Sequence, residues 1–186
     1  ILFSFGGSGV TERLRPFLFS EIPDEKVVAA IGFYNDKKLS GKSRSFLQSL
    51  FSASDDGSLA LAAFAAGELK LRRYKKFLHK GLASDSVNLK MHSALALGKL
   101  QLFDGVNVLV DLLHTGNAEM RSKLKRRLAF VPLSVRKAVE SGLKERLQHA
   151  YQSSLSNMKG AVSPDLLARM HEAYELHSWS GGRLQV

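Results

Sequence analysis

The chain has 186 residues, 45% hydrophobic and 24% charged, a balance that supports one ordinary domain or one short repeat array with a real core and excludes disorder as the main state. It contains no cysteine, so disulfide frameworks, thiolate zinc sites and cysteine nucleophiles are excluded. Twenty-seven basic against 17 acidic residues leave a net charge of +10, which attracts anionic surfaces over a Debye length of about 8 Å.

Residues 1–9 run through Gly6, Gly7 and Gly9, which predicts a flexible N-terminal segment; residues 10–178 are expected to form a single helical domain and 179–186 a tail. Stretches 11–19 and 24–34 read as a degenerate first helix pair, with Pro16 in its opening turn or kinking it. A shift of 31 residues then aligns 46–69, 77–100 and 108–131 without a gap, giving units 46–76, 77–107 and 108–138. In each, a first helix carries the columns Leu47/Leu78/Leu109 and Phe51/Leu82/Leu113, four residues apart and so on one face. A polar break rich in Ser, Asp, Asn and Gly follows, chemistry that ends one helix and caps the next. The second helix carries Ala63/Ala94/Lys125, Ala66/Leu97/Leu128, Gly67/Gly98/Ala129 and Leu69/Leu100/Val131, with small residues where neighbouring helices approach.

Pro132 is expected to end the third pair. A long amphipathic helix from Ser134 to about Leu155 follows, with Val135, Ala138, Val139, Leu143, Leu147, Ala150 and Tyr151 facing inward. A break at 156–160 precedes a last helix that Ser163 caps and Pro164 opens, reaching about His177. The longest apolar runs, 27–33 and 59–67, fall well short of the ~20 residues of a transmembrane helix.

Positive charge is concentrated. Between Arg121 and Arg146 nine basic residues face two acids, Glu140 and Glu145. Lys125 and Arg126 fill columns held by Ala63, Ala94, Phe64 and Leu95 in the earlier units, so the third unit exchanges apolar surface for a basic ridge, while Met120, Leu124, Leu128 and Val131 keep the apolar side. The candidate partner-binding residues are Lys123, Lys125, Arg126, Arg127, Arg136 and Lys137. Arg72, Arg73, Lys75 and Lys76 form a second basic patch, in which Tyr74 and Phe77 are expected to pack. Such surfaces bind acidic protein, nucleic acid or anionic lipid, and they also keep a solvated helix face soluble.

Catalytic and cofactor patterns fall short. Gly41, Lys42 and Ser43 end like a phosphate-binding loop, but Asp36 occupies the place of its earlier glycine, so a loop between helix pairs is expected there. His171 and Glu175 lie one turn apart where a zinc-protease pattern requires two histidines. No catalytic residue, metal site or cofactor is assigned.

The columns resemble the HEAT-like family of α-helical repeats, best over 84–100, where Asp85, Lys90, Ala94, Leu97 and Gly98 meet the family pattern and Arg121 repeats its basic position. The resemblance implies an all-α, right-handed stack of antiparallel helix pairs, about 8–10 helices, in a curved solenoid. The expected role is a non-enzymatic scaffold or assembly subunit, with the basic ridge meeting an acidic protein partner in a larger complex. Nonspecific DNA or RNA binding is the alternative reading. A third, a glycosylase of the HEAT-like kind, calls for aromatic and carboxylate residues on the concave face, whereas Trp179 falls in the tail. An intracellular, soluble protein of a bacterial cytoplasm or an organelle matrix fits the absence of cysteine and of glycosylation sequons.

Overall fold

Each of the three polar breaks places a capping residue 31 positions after the last. Asp55, Ser86 and Asn117 are N-caps whose side chains accept the backbone N–H three residues on, from Ser58 at 2.7 Å, Leu89 at 3.4 Å and Met120 at 2.8 Å. They satisfy donors that a helix start leaves orphaned, and so fix where each second helix begins.

The computed structural model describes residues 12–158, and these are all-α, with no strand among them. After a 3-10 turn at Pro16–Phe19 come α1 (Pro23–Gly32), α2 (Ser40–Phe51), α3 (Asp56–Glu68), α4 (Lys75–Leu82), α5 (Val87–Lys99), α6 (Val106–Thr115), α7 (Ala118–Leu128) and α8 (Leu133–Met158). Short 3-10 turns, Arg72–Tyr74 and Phe103–Gly105, lead into α4 and α6. The expected segments 1–9, 163–177 and 179–186 lie outside the described residues, as do His171, Glu175 and Trp179.

The chain divides into two compact units, Ile1–Gly105 and Val106–Val186. In the first, α3 is apolar on both sides. Ala62 and Ala65 complete a core with Val27, Ile31, Phe33, Leu47 and Leu50, while Ala60, Ala63 and Ala66 complete another with Leu78, Leu89, Leu97 and Leu100. A helix apolar all round is a buried helix, and its alanines let neighbours come close. A Cβ on Gly67 would lie 2.8 Å from the Ala96 Cα on α5, so glycine sets the α3–α5 distance. The two helices end alike. Lys70 and Gln101, 31 residues apart, have positive φ (51° and 61°), and the N–H of Leu71 and Leu102 reaches back to the carbonyls of Ala66 and Leu97, both at 2.9 Å, the Schellman pattern. Across these ends the Lys99 ammonium pairs with the Glu68 carboxylate, one repeat apart.

In the second unit α6 packs on α8 and α7, with Leu109, Val110, Leu113, Leu124, Leu128, Val131, Val135 and Val139 buried. Proline at 132 can supply neither a positive φ nor an N–H, so the turn of the earlier units cannot form. Instead Val135 and Arg136 donate to the Pro132 carbonyl at 3.0 and 3.1 Å, and the chain enters α8 at Leu133.

Four expectations are corrected. Residues 12–19 are not one continuous helix: 12–14 are helical and Pro16 opens a separate 3-10 turn. Gly41, Lys42 and Ser43 lie in α2 and not in a loop; Ser43 is buried with its hydroxyl donating to the Leu39 carbonyl at 3.0 Å. Leu147 and Ala150 are exposed rather than inward: α8 has 26 residues and α6 only 10, so roughly 39 Å of helix lies along roughly 15 Å. Finally α8 continues to Met158, past the expected break at 156.

Helical glycine-to-alanine changes ordinarily stabilise, by up to about 1 kcal/mol. Gly41→Ala, with nothing within 4 Å of its new Cβ, should therefore raise the melting temperature. Gly67→Ala should lower it, by overpacking worth about 1–3 kcal/mol; thermal denaturation of the two variants checks the opposite signs. The Asp55 and Asp36 carboxyls are held below their ordinary 3.8 by backbone N–H donors, Ser58 for Asp55, and Leu39 then Lys38 for Asp36. Their contribution is thus present above about pH 4 and is lost as pH falls through the folded-state values. Asp55→Asn with Asp36→Asn should flatten the fall in urea midpoint on acidification from about pH 5 to pH 3; an unchanged slope would contradict the linkage.

Candidate functional site

A helix turns by about 100° per residue, so cations at 121, 123, 125, 126 and 127 cannot share one line. In α7 the buried stripe is Leu124 and Leu128. Lys123 and Arg127, four residues apart, are half-buried along one flank of that stripe; Arg121 and Lys125 are exposed along the other, and Arg126 faces outward between them. The third second-helix thus carries positive charge around all of its circumference except the apolar stripe. On α8, Lys137 is exposed and Arg136 half-buried, with the Arg136 Nε out of contact with solvent and without an acceptor among the described residues. Arg146, further along, is committed to an ion pair with Asp111 of α6 at 2.6 Å.

The second patch separates into different environments. Arg72 donates to the Leu100 carbonyl, at the C-terminal end of α5, at 3.3 Å, where a cation also complements the helix dipole. Lys75 and Lys76 are exposed in the first turn of α4, which has neither an acidic residue nor a side-chain cap; cations are unfavourable at that end. Arg73 belongs to a groove of about 440 Å³ lined by residues of α2, the segments at Tyr34 and Leu71, and the turn before α4.

Sequence spacing gives no sign of this groove, because its members come from positions up to 40 apart and share no repeat column. Arg44 donates from Nε to the Tyr34 carbonyl at 3.2 Å, and its guanidinium lies 5.0 Å from the Tyr34 ring centroid. Arg73 donates to the Tyr34 hydroxyl at 3.3 Å. The Tyr74 ring stacks on Phe51 at 3.7 Å, the Arg73 guanidinium lies 5.0 Å from its centroid, and its hydroxyl donates to Gln48 Oε1 at 2.9 Å. Phe77 meets Phe51 edge-on at 5.2 Å. Tyr74 and Phe77 therefore pack, as their positions predict. Among the described residues no group of three or more His, Asp or Glu side chains is arranged to hold a metal, and no helix is long and apolar enough to cross a membrane.

Because Arg72 ties the 3-10 turn to α5, Arg72→Met should destabilise the chain by about 1 kcal/mol, the worth of one hydrogen bond. Lys76→Met should stay within about 0.5 kcal/mol; urea denaturation of the two variants distinguishes the roles.

Comparison with protein-family models, with curated proteins and with solved structures finds no match for this chain.

Proposed function

We propose that this chain is a non-enzymatic scaffold or assembly subunit built as a right-handed, HEAT-like stack of helix pairs, and that the basic surface of α7 and the start of α8 binds an acidic protein partner. One observation carries the reading. The columns that hold buried Ala63 and Ala94, and Phe64 and Leu95, hold exposed Lys125 and Arg126 in the third unit. The stretch from Arg121 to Lys137 contains no acidic residue, so no acid within it offsets its positive charge. Charge so placed acts mainly on association rate and salt dependence.

The repeat architecture draws support from the 31-residue recurrence of caps, of left-handed turns and of 3-10 lead-ins. Stacked pairs that complete one another's cores are the physical basis of solenoid stability. Nonspecific nucleic-acid binding by the same cations is the second reading, favoured by their distribution around α7, which suits phosphates more than one flat protein patch.

The decisive measurement is binding of the full chain to polyglutamate and to duplex DNA across a salt series. Lys125→Glu with Arg126→Glu should weaken polyglutamate binding about ten-fold at low salt, with the difference vanishing near 0.5 M salt. Tighter binding to DNA, with a log–log salt slope near −0.9 per phosphate contacted that these substitutions reduce, would replace the first reading with the second.

A further inference from the structure

We propose that the Tyr34–Arg44–Gln48–Arg73–Tyr74 groove of the first unit is a binding site for a phosphomonoester group. Its volume, about 440 Å³, lies in the range of small-ligand sites, about 300–1,000 Å³. No carboxylate lines it, and neither Arg44 nor Arg73 has an ion-pair partner among the described residues. Two guanidiniums on a single tyrosine, uncompensated by any acid, make a strongly anion-selective locus.

The arginines are also held in place. Arg44 spends only its Nε on the Tyr34 carbonyl while its guanidinium lies near that ring; Arg73 spends one terminal nitrogen on the Tyr34 hydroxyl and rests near the Tyr74 ring. The remaining N–H groups of both forks have no acceptor among the described residues. Gln48 uses its carbonyl oxygen for the Tyr74 hydroxyl, which leaves its amide NH₂ as a further donor, and Ser45 also lines the groove. A pocket whose unused polar capacity is mostly donor calls for an acceptor-only ligand.

Phosphate fits this array better than carboxylate. One guanidinium fork satisfies a carboxylate, whereas two forks match a dianion with three terminal oxygens. Base stacking is not the mode, since Tyr74 has Phe51 against one ring face and the Arg73 guanidinium near the ring, and Tyr34 carries the Arg44 guanidinium. The first turn of α4 adds Lys75 and Lys76 next to Tyr74, charges that a bound dianion would offset. The site lies wholly within the first unit, whereas the α7 surface belongs to the other.

The test is a calorimetric titration of the full chain at constant ionic strength with phenyl phosphate, inorganic phosphate and benzoate. Phenyl phosphate should bind about ten-fold more tightly than benzoate. Arg44→Lys and Arg73→Lys, which keep the charge and remove the fork, should each weaken phenyl phosphate about ten-fold, whereas Lys125→Glu with Arg126→Glu should leave it unchanged. In the unaltered chain the same titration should move the ring resonances of Tyr34 and Tyr74, a readout that does not depend on any variant folding. Benzoate binding as tightly as phenyl phosphate, Arg→Lys variants binding like the parent, equal loss in the α7 variant, or unmoved tyrosine resonances would each overturn the assignment. A phosphoserine peptide that binds more tightly than phenyl phosphate places the group on a protein, and one that does not places it on a small molecule; both outcomes keep the site.

Discussion

The close approach of α3 to α5 is the constraint on which the first unit depends. Five of the 13 residues of α3 are alanine, and the free energy of burying alanine is small per residue. It becomes sufficient because both faces are used at once, Ala62 and Ala65 against one core and Ala60, Ala63 and Ala66 against the next. That arrangement requires near-backbone contact, and Gly67 against Ala96 provides it. Phe33 in one core, and Leu78 and Leu97 in the other, all essentially inaccessible, then fill the space that the small residues define.

Each helix end repeats a solution as strictly as the cores do. A capping side chain starts every second helix, and a left-handed residue with back-bonding from the following leucine ends two of them. The third unit breaks the pattern at both levels. Pro132 removes the left-handed turn for a covalent reason, and Lys125 and Arg126 remove the apolar outer columns. A helix with cations in those columns cannot offer α7 the role that α3 has between two cores, because an unpaired buried charge is expensive. The charged helix therefore presents its surplus outward, which is what a docking or steering surface requires.

The two arginine-bearing regions illustrate how the same residue type does different physical work. Arg72 and Arg146 are spent on a helix end and on Asp111 and so contribute to folding. Arg44 and Arg73 are braced by Tyr34 and Tyr74 with most of their donors unused among the described residues, an arrangement that orders a cation without neutralising it. Net charge alone does not separate these cases; what each guanidinium touches does.

Helical class, the 31-residue period, the capping breaks and the buried columns were legible in the sequence, because hydrophobic spacing and capping chemistry are local and repeat at a fixed interval. Leu47, Leu78 and Leu109 are each almost fully buried, as their column implies. Local pattern also located the cations of α7, but which flank each one occupies follows from the buried stripe. Three things required tertiary structure. The start of α2 at Ser40 draws Gly41 and Ser43 into a helix that their composition resembles a loop more than a rod. The outward turn of Leu147 follows from α6 being shorter than α8, a relation between lengths rather than a property of either. The groove on Tyr34 joins side chains from separate segments whose proximity only the packing of α2 against its neighbours creates, and no spacing along the chain encodes that proximity.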